Sequence, residues 1–484
     1  MKTITNISIL IVLLLGLLSC GNESDDDIPA INQPVIDSFS PDSGREGTQV
    51  VITGSNFSNY TSNNTVYVGD KSTVAASADF NQLTFTIPAG IAPGEYQIKV
   101  KVDTLTATSS QYFTVKEKVN ITDPEVLNFN YSAGTQTIGP TYSFTQEDML
   151  VETARAILEM GSNILKISLN TSKYADIVQN RQASAVELVR DHPSFKKVMD
   201  MPFTYYFFWA NNSKHWKDGY SAAERVADSI QIADLTTYLL TNYNDSGKEF
   251  YLGNWEGDWM LLGSGNITRV PSDEEIQRMI QWYECRQNAM EEAIRITDHQ
   301  NVKVFSYCEV NRVVDAMEGQ SRVVNKVLPH TNVDYVSYSS YDAQNLPQSE
   351  YVAVLDYIET KLPAKPQIEG KRVFIGEMGI KAKALNFSKS RHEERNRENM
   401  AKAFEWGAPF ILYWEMYNNE IHNGIQQGLW LIDDQNEKWP LYYTFSNFYE
   451  DAKIWVSTQK KELNRLPTRQ EYLNWAVPRF KNPY

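Results

Sequence analysis

Cysteine is scarce in this chain, since only Cys20, Cys285 and Cys308 occur among its 484 residues. No Cys-x-x-Cys or His-x-x-x-His spacing is present, so the sequence offers no recognisable metal centre. A Gly-rich phosphate loop and a Gly-x-Ser-x-Gly elbow are also missing. We therefore expect chemistry that uses side chains alone, with no metal and no cofactor.

Positive charge is also in short supply. The 45 lysines and arginines are outnumbered by 60 aspartates and glutamates, which gives a formal net charge of −15. Such a balance disfavours nucleic acid and anionic membrane surfaces as partners and suits a neutral or cationic ligand. Hydrophobic residues make up 42% of the chain and charged residues 22%, so it can bury a substantial core.

The one extended apolar run near the N-terminus is Ile9–Leu18, about ten residues, which is too short to span a bilayer of roughly 30 Å. It ends in Leu17–Cys20, and this junction resembles a bacterial lipoprotein signal. The resemblance implies a signal peptide at residues 1–19, cleavage before Cys20 and acylation of its thiol. An ordinary signal peptide with an incidental cysteine is the alternative.

An acidic stretch follows the cysteine. Residues 20–33 read as a polar tether, and their run Gly21–Asp27 resembles the surface-export signal of Bacteroidetes lipoproteins. This resemblance implies an outer-membrane lipoprotein held at Cys20 and exposed on the cell surface. Once Cys20 is acylated, Cys285 and Cys308 remain either as a disulfide or as two buried thiols, and the thiols are favoured.

Residues 34–116 carry short alternating runs separated by turn residues, as in Gln49–Ile52, Thr65–Val68 and Tyr96–Val100. This spacing predicts a small β-sandwich. The segments Ser38–Gly44 and Ile52–Phe57 resemble the IPT/TIG immunoglobulin-like family. The resemblance implies either a spacer or an auxiliary glycan-binding module, of which the spacer is favoured.

Residues 125–455 repeat one unit, an apolar strand followed by a polar stretch of helical period. The predicted strands are Val126–Asn130, Asn163–Asn170, Phe203–Asn211, Phe250–Trp259, Val302–Glu309, Asp334–Tyr341, Arg372–Gly379 and Phe410–Tyr417. Eight such units indicate an α/β fold, a (β/α)8 TIM barrel. A doubly wound open sheet uses the same units, but polar residues end many strands here, which favours the barrel. Residues 456–484 are interpreted as a tail packed on it.

Carboxylates follow the apolar runs of strands four and seven. Glu256 lies in Gly253–Trp259 and Glu377 in Val373–Gly379, and burying either one is costly without a partner or a function. The placement resembles the retaining glycoside hydrolases of clan A. That resemblance implies Glu377 as the nucleophile and Glu256 as the acid/base, acting on β-linked polysaccharide or oligosaccharide. Asp258 is a rival acid.

The same resemblance implies further sugar contacts. Trp414 near the end of strand eight would form an aromatic floor, and Tyr341 or Tyr338 would donate to the nucleophile. Clan members place Asn directly before the acid/base, whereas Trp255 separates Asn254 from the glutamate here. On an unbroken strand Asn254 would still face the pocket.

Three further residues complete the predicted substrate-binding set, namely Trp209, Glu309 and Glu415. Two functions fit this set: a monomeric surface glycoside hydrolase, and a glycan-binding lipoprotein that retains the barrel without catalysis. The paired glutamates favour the enzyme, and the inserted Trp255 favours the binder. A purely structural surface protein would leave the paired glutamates and the aromatic residues at the barrel mouth unexplained.

Overall fold

The computed structural model describes residues 32–210 and 215–482. The predicted signal peptide, the acylation site Cys20 and most of the tether lie outside these residues. None of the helices in the two described ranges combines the length and apolar character needed to cross a bilayer. Cys285 and Cys308 are free thiols, which decides against a disulfide between them.

The N-terminal domain is a sandwich of a four-stranded sheet and a five-stranded sheet. Its core holds Phe39, Ile52, Val66, Phe85 and Phe113, which alternate with outward-facing residues as the sequence predicts. The strands are β1 Val35–Ser40, β2 Ser43–Gly44, β3 Gln49–Ser55, β4 Asn64–Val68, β5 Lys71–Val74, β6 Ser77–Ala78, β7 Gln82–Thr86, β8 Gly94–Val102 and β9 Leu105–Val115.

Within the described residues, eight parallel strands close into a barrel, in which the last strand pairs with the first. The predicted TIM barrel is confirmed. The strands are β10 Ala133–Gln136, β11 Ile164–Ser168, β12 Tyr205–Trp209, β13 Glu249–Gly253, β14 Lys303–Val310, β15 Tyr335–Ser339, β16 Val373–Met378 and β17 Ile411–Tyr413, followed by the hairpin β18 Ile421–His422 and β19 Ile425–Gln426.

Helices connect these strands and surround the barrel. They are α1 Pro124–Leu127, α2 Met149–Met160, α3 Ala185–Asp191, α4 Pro193–Met199, α5 Ala222–Asn242, α6 Gly257–Leu262, α7 Asp273–Ile296, α8 Val313–Met317, α9 Val323–Lys326, α10 Gln348–Lys361, α11 Lys389–Trp406, α12 Pro440–Leu463 and α13 Arg469–Lys481. Short 3-10 turns occupy Thr61–Asn63, Thr171–Tyr174, His215–Lys217, Leu328–His330, Ser340–Asp342 and Ala382–Leu385.

Two strand predictions are wrong. The predicted first strand, Val126–Asn130, overlaps α1, which Asp123 caps by accepting from the Glu125 amide, with Pro124 at the first helical position. The first barrel strand is instead the small, polar Ala133–Gln136. The predicted fourth strand reaches Trp259, whereas β13 stops at Gly253 and α6 follows.

Aromatic side chains fill the lower part of the barrel. Phe207 stacks on Tyr251 with ring centroids 4.4 Å apart, and Phe374 and Phe410 pack against Phe207 at 5.0 and 4.8 Å. A polar layer lies beside them, and it contains the fully buried Lys166 and Glu309. The interior is therefore a filled core whose polar part adjoins the candidate site.

The C-terminal helix α13 lies against two helices of the barrel domain. Helix α13 contacts α11 and α12, and the Tyr472 hydroxyl donates to the Tyr131 carbonyl at 2.8 Å. The predicted end of the barrel domain at residue 455 falls inside α12, so the last barrel helix runs on into the predicted tail.

Candidate active site

A cleft of about 660 Å³ opens beyond the C-terminal ends of the barrel strands. Among the predicted site residues, Trp209, Glu256, Tyr341, Glu377 and Trp414 line it. The structure thus brings together the two proposed catalytic carboxyls and three of the proposed sugar contacts. The remaining lining residues are Lys173, Trp255, Gln344, Asn345, Gly379, Ile380, Lys381, Asn419, Glu420 and Leu429.

Glu377 belongs to β16 and is almost completely buried, with 3% of its surface exposed. Its Oε1 accepts from the Lys166 ammonium at 3.4 Å. Burial raises the pKa of Glu377 well above its ordinary value, while the nearby Lys166 lowers it and Glu309 and Glu256 raise it. The carboxyl is held at the floor of the cleft beside a cation that favours its ionised form.

Glu256 reaches the cleft from a loop rather than from a strand. The chain leaves β13 at Gly253, where a side chain would meet the Tyr307 ring at 2.2 Å. The Glu256 amide donates to Glu309 Oε1 at 2.9 Å, and the Glu256 carbonyl accepts from the Trp259 amide in the first turn of α6. These contacts fix the loop that presents the carboxyl.

Burial raises the pKa of Glu256 to about 8, and the negative charge of Glu309 adds to this effect. Lys166 acts in the opposite direction. A carboxyl with this pKa is largely protonated at neutral pH, which is the state that a general acid requires.

Asp258, the rival acid, is committed to structure. It is fully buried, and it accepts from the amides of Asn311, Arg312 and Val323 at 2.8–3.1 Å. Its own amide donates to Asn311 Oδ1. Asp258 therefore ties α6 to the segments after β14 and does not face the cleft.

Asn254 and Glu309 also lie outside the cleft lining. Asn254 Oδ1 accepts from the Tyr283 hydroxyl at 2.8 Å and from the Glu309 amide at 3.3 Å. The prediction that Asn254 and Glu256 share one strand face is wrong, because β13 ends before both residues. Glu309 supports the loop and the Lys166 ammonium from below.

Glu415 lies behind the cleft wall. It is fully buried, and its Oε2 accepts from the Ile138 amide at 2.8 Å. Burial raises the pKa of Glu415 well above its ordinary value. Within 32–210 and 215–482, its Oε1 has no hydrogen-bond partner. A sugar contact by Glu415 stays a prediction.

Three tryptophans form one aromatic wall of the cleft. The Trp209 ring lies 5.8 Å from the Trp414 ring and 6.4 Å from the Trp255 ring. The indole N–H groups of Trp209 and Trp414 are buried and lack a partner in the described part of the chain. Flat apolar faces with donors at their edges suit sugar rings and sugar hydroxyls.

Tyr341, rather than Tyr338, faces the carboxyls. Burial raises the pKa of its hydroxyl, and the charges of Glu377 and Glu256 raise it further, although 37% of the residue surface is exposed. Tyr338 instead donates to Asp342. Tyr341 lines the cleft together with both carboxyls, and a hydrogen bond from its hydroxyl to the proposed nucleophile stays a prediction.

Sequence reasoning missed Lys166. The residue lies in the middle of β11, where all five residues are buried. A lysine between apolar strand residues indicates a buried ion pair, and Lys166 stands in this position within Ile164–Ser168. No group of three or more His, Cys, Asp or Glu residues within the described ranges could hold a metal ion.

Comparisons with known proteins give a family match for the N-terminal domain only. Residues 34–116 match the IPT/TIG domain family. A Bacteroides thetaiotaomicron structural-genomics protein of unknown function is 29% identical over 18% of this chain and 22% of that one, with a TM-score of 0.17. This chain therefore spans about a fifth of that protein's length. No curated protein matches the chain.

Some solved structures are similar over most of the chain, among them two glycosidases. A Bacteroides ovatus GH5 xyloglucanase in complex with a XXXG heptasaccharide is 10% identical, over 76% of this chain and 90% of that one, with a TM-score of 0.35. A Bifidobacterium dentium β-glucuronidase is 10% identical, over 86% of this chain and 67% of that one, with a TM-score of 0.39.

Residues 34–116 form the predicted sandwich, and their sequence matches the family model, so this segment is an IPT/TIG domain.

Proposed function

We propose that this chain is a retaining glycoside hydrolase that cleaves β-linked polysaccharide or oligosaccharide. The observation that carries the proposal is the pairing of Glu256 and Glu377 in one cleft at the mouth of a closed parallel barrel, beside a wall of three tryptophans. Barrel enzymes place their chemistry at this end of the strands.

The mechanism assigns the first step to both carboxyls. The Glu377 carboxylate attacks the anomeric carbon while Glu256 gives its proton to the departing glycosidic oxygen. The glycosidic bond breaks, and a covalent ester to Glu377 forms. Glu256, now a carboxylate, then takes a proton from a water molecule that displaces Glu377 from the sugar.

The surroundings of the two carboxyls support this division. Burial raises the pKa of Glu377 overall, and Lys166 opposes this effect by donating a hydrogen bond that favours the charged form a nucleophile needs. The pKa of Glu256 is raised to about 8 by burial and by Glu309, which favours a protonated acid. Formation of the ester would remove the charge of Glu377 and so lower the pKa of Glu256 for the second step.

The proposed location rests on the sequence alone. We propose that the chain is anchored in the outer membrane through acylated Cys20, which exposes the cleft to glycans at the cell surface. A Cys20→Ala variant tests this. It should lose lipid labelling and move from the membrane fraction to the soluble fraction, and unchanged labelling would contradict the proposal.

The activity test uses the chain without residues 1–20 against a panel of β-glucans, β-mannans, xylans and xyloglucan. We expect reducing ends to appear with one polysaccharide, with retained anomeric configuration by NMR. Glu377→Gln and Glu256→Gln should abolish release, whereas the exposed Glu350→Gln, on the outside of the barrel, should not.

The glycan-binding alternative keeps one observation in its favour. Asn254, the residue that clan members present to the sugar, is turned into the protein here. If no polysaccharide is cut, but one binds equally to wild type and to Glu377→Gln, the chain is a binding protein and the enzyme proposal is wrong.

A further inference from the structure

Lys166 is a fully buried cation at the centre of the site. Its Nζ donates to Glu309 Oε2 at 3.1 Å, to the Gly376 carbonyl at 3.0 Å and to Glu377 Oε1 at 3.4 Å. An ammonium has three N–H donors, so these three contacts account for all of them. A buried lysine is costly unless it is paired in this way.

Glu309 completes the pair and extends it toward the other carboxyl. Its Oε2 also accepts from the Ser337 hydroxyl at 2.7 Å, and its Oε1 accepts from the Ser339 hydroxyl and from the Glu256 amide. One end of the Lys166–Glu309 pair therefore touches Glu377, and the other end holds the backbone of Glu256.

The two charges of the Lys166–Glu309 pair act mainly on different glutamates. Lys166 exerts the largest charge effect on Glu377 and lowers its pKa, whereas Glu309 exerts the largest charge effect on Glu256 and raises its pKa. Burial raises the pKa of both glutamates, so burial alone does not give them different roles. The oriented ion pair does.

We propose that the Lys166–Glu309 pair is a positioning unit that assigns the two roles, with its cation holding Glu377 as a charged nucleophile and its anion keeping Glu256 as the proton donor. This inference rests on the proposed function for its meaning. Its physical content, control of the ionisation of Glu377, can be measured whether or not a substrate is found.

Other ionisable groups also face the site and must be counted. Four of them interact electrostatically with Glu377, Glu256 or Lys166, namely Tyr307, Tyr341, Asp258 and Glu415. The cleft also holds Lys173, Lys381 and Glu420. Lys381 pairs with Glu420, and the Lys173 ammonium lies over the Trp209 ring. Lys166 donates to Glu377 directly and exerts the largest charge effect on it, so Lys166 is the group whose removal should most change Glu377.

The experiment follows the carboxyl of Glu377 by infrared difference spectroscopy across a pH series. Spectra of the chain without residues 1–20 are subtracted from those of Glu377→Gln, which isolates the C=O stretch of this one protonated carboxyl. The same subtraction is made in a Lys166→Met background. We expect the midpoint for Glu377 to move up by about one to three pH units without the cation.

Two further variants separate charge from folding. Lys166→Met alone leaves Glu309 buried and unpaired, so Lys166→Met/Glu309→Gln removes both charges and keeps the volume. In this double variant the Glu377 midpoint should still rise, because Lys166 outweighs Glu309 at that carboxyl. Lys166→Arg should restore most of the wild-type midpoint, and Glu309→Gln alone should lower it.

The pH dependence of aryl β-glycoside hydrolysis is a second measurement of the effect of Lys166 on Glu377. The acidic limb of kcat/KM should move to higher pH in Lys166→Met and return with Lys166→Arg, because the nucleophile must be ionised. An unmoved Glu377 midpoint in the folded double variant would overturn the inference even if hydrolysis occurs. Absent hydrolysis with a shifted midpoint would instead overturn the proposed function and leave the inference standing.

Discussion

Glu256 and Glu377 are both buried carboxyls with raised pKa values, and their neighbours set them apart. Sequence patterns placed Glu377 well, since it follows an unbroken apolar run on β16. The sequence predicted Glu256 on a strand, whereas the residue follows Gly253 in a turn that packs against the distant Tyr307 ring. Long-range contacts of this kind leave no local signal.

The pH dependence should reveal Glu256. Its pKa is raised to about 8, and a general acid works only while protonated. We therefore expect kcat/KM on an aryl β-glycoside to fall as the pH rises through about 8. In Glu256→Gln this basic limb should vanish, and the residual rate should depend strongly on the leaving group. A limb that persists in Glu256→Gln would assign it to another residue.

Asp258 should prove structural rather than catalytic. An asparagine there would set an N–H group against backbone amides that now donate to a carboxylate. We expect Asp258→Asn to cost roughly 2–4 kcal/mol, seen as earlier denaturation, since each unsatisfied buried donor costs about 1–3 kcal/mol. Hydrolysis measured below the unfolding range should survive, and its loss in the folded variant would restore Asp258 as a candidate acid.

At the scale of elements, the repeat of strand and helix predicted the barrel, and buried β-branched and aromatic runs predicted most of its strands. The sequence pattern did not predict the first barrel strand, because Ala133–Gln136 is short and lacks large apolar residues. Its burial comes from closure against β17, a pairing between distant parts of the chain. Closure is a property of the whole sheet, so no local pattern marks the strand that completes it.

Gly376 should be indispensable to β16. A Cβ there would lie 1.7 Å from Ser337 Oγ and 3.3 Å from Glu309 Oε2, inside the polar layer. We expect Gly376→Ala to destabilise the barrel by roughly 1–3 kcal/mol and to lower kcat by displacing Glu309. Gly265→Ala, in open space, is the matched control. Equal thermal unfolding midpoints for the two variants would contradict the packing described here.

At the scale of the whole molecule, the IPT/TIG domain is docked against the barrel. The Arg45 guanidinium donates to Asp451 on α12 at 2.6 Å, and the Tyr443 hydroxyl donates to Glu46 at 3.3 Å. A cavity of about 220 Å³ remains between the two domains. The sequence predicted both domains, but the contact joins residues some 400 positions apart and could not be foreseen.

Gly47 should be the most sensitive position of that contact. Its backbone has φ +77°, and a Cβ would lie 1.9 Å from the Tyr443 ring. Gly90 has φ +72° and open space around it, so Gly90→Val pays the same backbone strain without the clash. We expect Gly47→Val alone to expose residues 116–123 to proteolysis. Equal cleavage of the two variants would show that the domains are not held together there.

The most direct test of the central claim is to trap the covalent intermediate. The chain without residues 1–20 is incubated with 2-deoxy-2-fluoro-β-glycosyl fluorides, digested, and mapped by mass spectrometry. We expect one added glycosyl group on the peptide that contains Glu377, and none in Glu377→Gln. A stable adduct on Glu309 or Glu415, or hydrolysis with inversion and no adduct, would contradict the assignment of Glu377 as the nucleophile.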